Sequence, residues 1–214
     1  PNFKPFILNV EASARIMWDP DSFDRDVYFL EWTTRYFGSD ASPLSVKSLQ
    51  LLHDAHTYAS GFQETTRKSH ELLMNLKRRE TETVDVASTR MALALARRSL
   101  EFAIEAQAMV PETSRDIFDD QIVFPCRIFI QNLELLRSLI EFNNAYRGGV
   151  SNASTRKHLE FLGKNTREKL LDLRAALETG SRWEKWRNWT HPENFPLQTA
   201  PPDLETIDAI LEIL

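Results

Sequence analysis

Between Leu44 and His191 the chain holds only two of its ten prolines, Pro111 and Pro125. Proline has no N–H to donate and its ring crowds the carbonyl four residues back, so a long stretch nearly free of it can run as helix. Glycine is as sparse. Gly38, Gly61, Gly148, Gly149 and Gly180 each follow an apolar-periodic segment, where a helix would stop. The pattern predicts an all-α chain, a bundle of about five or six helices with neighbours antiparallel across short turns. No internal repeat at a fixed period is visible.

The first of these segments is Ser22 to Phe37. Asp19, Pro20, Asp21 and Ser22 offer N-caps, and Asp24 and Asp26 fall in the first turn, where the helix dipole favours negative charge. Phe23, Val27, Leu30 and Phe37 are expected to face inward, flanked by Phe29, Trp32 and Tyr36. A second helix, Ser42 to Ser60, has Ser42 as N-cap and Pro43 at the first helical position. A third runs from Gln63 to Arg79, and a fourth, rich in Ala, Leu, Arg and Glu, from Asp85 to Met109. Thr113 to Tyr146 reads as the longest, with a kink expected at Pro125. Ser151 to Thr179 closes the set, with Gly163 as its weak point.

Two regions depart from this texture. Phe6-Ile7-Leu8-Asn9-Val10 is a short apolar run that suits a buried strand, with Ala12 to Trp18 as a short helix after it. No later segment offers that strand a sheet, so its partners are expected outside the chain. After Gly180 the sequence turns to WEKWRNWTHPENFPLQTAPP, which reads as ordered but irregular. The chain starts without Met, and Leu204, Ile207, Ile210, Leu211 and Leu214 form an apolar pattern still in progress at its end, which reads as a fragment of a longer protein. The expected division is 1–17 as a leading segment, which would be the end of a preceding β/α barrel if its strand closes one, 18–180 as the bundle, and 181–214 as the Trp/Pro-rich segment with the start of a further element.

The formal charge of −5 is the wrong sign for neutralising phosphates, so nucleic acid is not an expected partner. No apolar run approaches the roughly 20 residues of a membrane span, and no secretory leader is visible. Cys126 is the one cysteine, which excludes an internal disulfide.

Asn9 and Glu11 are the candidate substrate-binding residues. If the strand closes a parallel barrel, residues just past its C-terminal end point to the face where such barrels place their active sites. Glu11 equally suits a cap for the helix that follows. Asp19, Asp21, Asp24 and Asp26 have the carboxylates of a calcium loop. Phe23 stands where such a loop needs an oxygen and no turn glycine follows, so capping is their expected role. His53 and His56 have the spacing to meet a metal from one helix face, without an accompanying Glu base or third ligand. Trp183, Trp186 and Trp189, interleaved with Arg182, Lys185 and Arg187, would stack on sugar rings or bases, or would anchor the tail onto the bundle; anchoring is the expected role. Asn152-Ala-Ser154 and Asn188-Trp-Thr190 match the glycosylation sequon. There is no GxSxG, P-loop, dinucleotide fingerprint or zinc-spaced Cys/His set. These residues alone point to an all-helical domain of accessory type, with no cofactor or metal expected.

Three stretches share an order and spacing that is familiar: ILNV at 7–10 followed by MWDPDSF at 17–23 and EWTTRYFG at 31–38, FDDQIVFPCRIFIQNLELLRSL at 118–139, and RWEKWRNWTHPENFPLQTAPP at 182–202. Together they resemble the junction of barrel and helical region in glycoside hydrolase family 115, the xylan α-glucuronidases, or a sister family of barrel glycosidases. The resemblance implies a helical accessory domain of a carbohydrate-active hydrolase, helping to shape the substrate cleft or an oligomer interface. The main catalytic carboxylates would lie upstream of this chain. Carbohydrate would be met through the parent barrel, a homo-oligomer is compatible, and the location would be extracellular or periplasmic. The alternative from another class is a free-standing interaction module whose grooves take partner helices.

Overall fold

The computed structural model describes residues 7–149, 152–179 and 204–213. Among them every regular element is helical. The elements are α1 (Ile7–Trp18), α2 (Arg25–Phe37), α3 (Ser42–Ala59), α4 (Gly61–Arg78), α5 (Ala87–Gln107), a 3-10 turn (Glu112–Ser114), the short α6 (Arg115–Phe118), a π-helical turn (Asp119–Val123), α7 (Phe124–Arg147), α8 (Ala153–Thr179) and α9 (Leu204–Ile213). The fold is the expected all-α bundle.

The leading strand is corrected: residues 7–10 are the first turn of α1. A short apolar run does not distinguish strand from helix by periodicity. Here Glu11, Ala12, Ala14 and Arg15 carry it on as helix, whose own hydrogen bonds satisfy backbone groups that no neighbouring strand would take. The short helix expected over Ala12 to Trp18 is present as the second half of α1.

The chain divides into two compact units, one of Pro1–Asp54 with Ala94–Arg127 and the other of Ala55–Leu93 with Ile128–Leu214. In the first, Tyr28, Trp32 and Phe37 of α2 join Leu49, Ala103, Ala106, Val110, Phe118 and Ile122 in a closed core. Phe37 meets Trp32 and Phe118 edge-on, at centroid distances of 5.1 and 4.9 Å, the arrangement ring quadrupoles favour. The inward face of α2 is thus turned from the expected one. Val27 and Leu30 stay 52% and 50% exposed, because the larger rings of Tyr28, Trp32 and Phe37 take the interior. The cap differs as well: Asp24, not residues 19–22, accepts from the Asp26 and Val27 amides at 2.8 and 3.0 Å. The Gly38 amide closes the other end on the Thr34 carbonyl. Ser42 does not cap α3, since its hydroxyl is buried against Thr33 at 2.6 Å. Ahead of Pro125 the long helix is interrupted. The Phe124 amide reaches back five residues to the Asp119 carbonyl, a π turn that absorbs the donor proline lacks.

In the second unit, Leu72, Leu73 and Leu76 of α4, Leu133, Leu136 and Ile140 of α7, and Leu159, Leu170 and Leu173 of α8 are buried at helical spacing. Polar ties fix the register between helices. Asn132 donates to the Thr66 hydroxyl at 3.0 Å, Ser138 and Thr166 share a hydrogen bond of 2.7 Å, and Arg167 pairs with Asp208 at 2.7 Å. Gly163, the expected weak point of α8, is also a notch: a Cβ there would run into the Leu211 side chain of α9, so its bare backbone lets α9 sit down on α8.

Candidate functional site

Helices α1 and α2 are strapped together by three ties within the first unit. The Tyr28 hydroxyl donates to the Leu8 carbonyl at 2.7 Å. The Glu11 carboxylate receives the Tyr36 hydroxyl at 2.7 Å and the Arg35 guanidinium on its other oxygen. Arg15 Nη1 lies 2.7 Å from Glu31 Oε2, and its guanidinium covers the Tyr28 ring at 5.2 Å from the centroid. On α1 the contributors are residues 8, 11 and 15, spaced three and four apart, so the helix turns one face to its neighbour.

Those ties shift proton affinities. Burial pushes the Tyr28 phenol up to about 12, with the Glu11 charge adding to it. Tyr36 is raised because Glu11 accepts its proton in a hydrogen bond, and burial adds to the effect. Glu11 therefore lies on a helix with both oxygens engaged. Asn9 sits on α1 and its side chain lies outside the described residues.

At the end of α1 the chain turns through 19–24 before α2 begins. The turn is closed by the Asp19 amide on the Arg15 carbonyl at 2.9 Å and by the Ser22 hydroxyl on the Asp19 carbonyl at 3.4 Å. It encloses a cleft of about 590 Å³. Phe23, Val27 and Tyr28 give the cleft apolar walls, and Arg15, Asp19, Asp24 and Glu31 give it polar ones. Trp18 lines it while remaining 91% exposed, a large ring offered to solvent beside donors and acceptors. Sequence reading did not single out Arg15 or Trp18. The available signal was Trp18 falling directly before Asp19-Pro20, at the end of a helix whose Arg15 lies on the same face.

The other candidates have structural partners. His56 stacks on Phe129 at 3.9 Å with the rings 6° from parallel, and His53 is exposed on α3. Among the described residues no group of three His, Cys, Asp or Glu side chains is placed to hold a metal, and no helix is long and apolar enough to cross a membrane. Asn152 accepts from the Thr155 amide at 2.9 Å and so caps α8. The Cys126 thiol is buried between Ser99 and Ser48 at 3.2 and 3.9 Å, and burial raises its pKa. Trp183, Trp186, Trp189 and Asn188 lie outside the described residues. In the second unit, Asn144 grips the extended segment before α5, donating to the Val84 carbonyl at 2.9 Å and accepting its amide at 3.0 Å. Asn143 donates to the Glu82 carbonyl at 2.6 Å beside it.

The sequence matches no protein-family model, no curated protein and no solved structure.

Proposed function

We propose that the chain is a helical accessory domain of a carbohydrate-active glycoside hydrolase resembling the xylan α-glucuronidases, and that it supplies one wall of the polysaccharide-binding cleft. The barrel of the parent enzyme would do the chemistry. The observation supporting this reading is the α1–α2 cleft, where an exposed indole stands beside a guanidinium and carboxylates. A pyranose has an apolar C–H face and a rim of hydroxyls that each donate and accept, so it calls for an aromatic surface next to paired donors and acceptors. Trp18 offers the surface; Arg15, Glu31 and Asp19 offer the pairs. Trp18 also belongs to the MWDPDSF stretch that carries the family resemblance.

Electrophoresis of the whole chain through a gel containing glucuronoxylan tests the reading. The wild type is expected to be retarded and Trp18→Ala to run as in a sugar-free gel. Equal mobility of the wild type in both gels overturns it.

A second reading, a protein-interaction module, is favoured by the apolar side chains of Ile16, Met17, Val27 and Leu30, all exposed in the same two helices. Concentration-dependent association in sedimentation, lost in a Met17→Ser/Leu30→Ser variant and accompanied by no retention on glucuronoxylan, would favour this second reading.

A further inference from the structure

Glucuronoxylan offers two chemically distinct epitopes, an uncharged pentose backbone and an anionic uronate branch. We infer that the α1–α2 cleft takes an uncharged pyranose stacked on Trp18 and disfavours a uronate. The inference rests on the carbohydrate reading above and adds to it the class of sugar.

The first ground is charge. Asp19, Asp24 and Glu31 bring three carboxylates to the lining, and Arg15 alone opposes them. Arg15 is already committed. Its Nη1 is bonded to Glu31 and its guanidinium is stacked over Tyr28, so it is not an open fork for a second carboxylate. Asp24 Oδ1 likewise accepts from the Asp26 and Val27 amides of α2, and its carboxylate is part of the cleft lining. A uronate entering here meets a net charge of its own sign. Two excess unit charges roughly 7 Å away in a water-like dielectric correspond to roughly a tenfold loss of affinity at low salt.

The second ground is geometry. Arg15 Nη1 donates to Glu31 Oε2 at 2.7 Å, and the Glu31 and Asp19 carboxylates bring acceptor oxygens to the cleft lining. Ring hydroxyls can donate to such oxygens. A carboxylate group only accepts and cannot satisfy Glu31 or Asp19. Trp18 stands at the rim, where stacking covers apolar surface on both rings without opening the core.

The experiment is a calorimetric titration of the whole chain with a neutral β-1,4-linked xylotriose and, separately, with trigalacturonate, at low salt and in 0.5 M salt. Xylotriose is expected to bind with a roughly millimolar dissociation constant, weakened at least about tenfold in Trp18→Ala. Trigalacturonate is expected to bind at least about tenfold more weakly at low salt, the gap closing in high salt and in an Asp19→Asn/Glu31→Gln double variant. Trp18, Asp19 and Glu31 are all exposed, and Glu31→Gln keeps an acceptor for Arg15, so these variants are expected to fold; circular dichroism of each variant checks this directly. Equal or tighter binding of trigalacturonate overturns the selectivity and leaves the accessory-domain reading standing. Failure of both sugars to bind overturns both.

Discussion

The Tyr36 hydroxyl donates to Glu11 Oε1 at 2.7 Å while Arg35 holds the other oxygen of the same carboxylate. One carboxylate thus ties α1 to two successive residues of α2. A hydrogen bond to a charged group contributes about 1.5–3 kcal/mol when well buried, and less at a half-exposed site such as this one. Glu11→Gln keeps the shape and removes the charge. It is expected to lower stability by about 1 kcal/mol in urea unfolding, and the double variant with Tyr36→Phe is expected to lose less than the sum of the two single losses, since both substitutions act on the same bond. In the Glu11→Gln variant Tyr36 should titrate closer to an ordinary phenol, because the acceptor that raises it has lost its charge. Full additivity of the two substitutions would contradict the shared bond.

Alkaline stability follows from Tyr28. Its folded pKa, pushed up to about 12, exceeds the ordinary phenol value, so the fold prefers the protonated form. That contribution is complete below about pH 10 and is lost as pH rises from 10 towards 12. Melting temperature measured across that window should fall, and Tyr28→Phe should flatten the fall while costing about 1 kcal/mol at neutral pH for the bond to Leu8. A melting curve in that window that is the same for both proteins would contradict the assignment.

Gly163→Ala pits better helix propensity, a gain of about 1 kcal/mol, against overpacking of about 1–3 kcal/mol where the new methyl meets Leu211. The expected outcome is a net loss in thermal melting. Measured in a Leu211→Ala background, Gly163→Ala should no longer cost stability, since the truncated side chain clears the space.

The segment before α5 should open when its clamp is removed. Asn144→Ala deletes both bonds to Val84 and is expected to cost about 1–3 kcal/mol. Limited proteolysis should then cut within residues 80–86, where the wild type resists. An unchanged digestion pattern would show that the clamp is not what holds the segment.

Most of the helices were legible from one plain signal each: the apolar spacing of α4, the alanine-rich run of α5, and the leucine spacing of α8 up to Gly180. The start of α1 was not. Ile7 to Val10 is too short to show a period, and the ties that commit it to α2 come from Tyr28 and Tyr36, about twenty residues away. The inward face of α2 was also misjudged, because spacing counts Val27 and Tyr28 alike, whereas the core took the ring that could fill it. Glu11 stood out in the sequence as a lone acid after an apolar run; the partners that occupy it are visible only once two helices are side by side. The cleft at Trp18 was hidden for the same reason. It is formed by the turn between α1 and α2, and its lining residues are ordinary when read one at a time.

The most direct measurement is a titration of the isotope-labelled chain with xylohexaose, followed through the indole N–H signals of its five tryptophans. Trp18 is assigned by its absence in Trp18→Phe, and Trp32, closed inside the core, serves as the internal control. The carbohydrate reading predicts a saturable shift of the Trp18 signal with Trp32 unmoved. A Trp18 signal that stays in place at saturating sugar, or one that moves no more than Trp32, would contradict it.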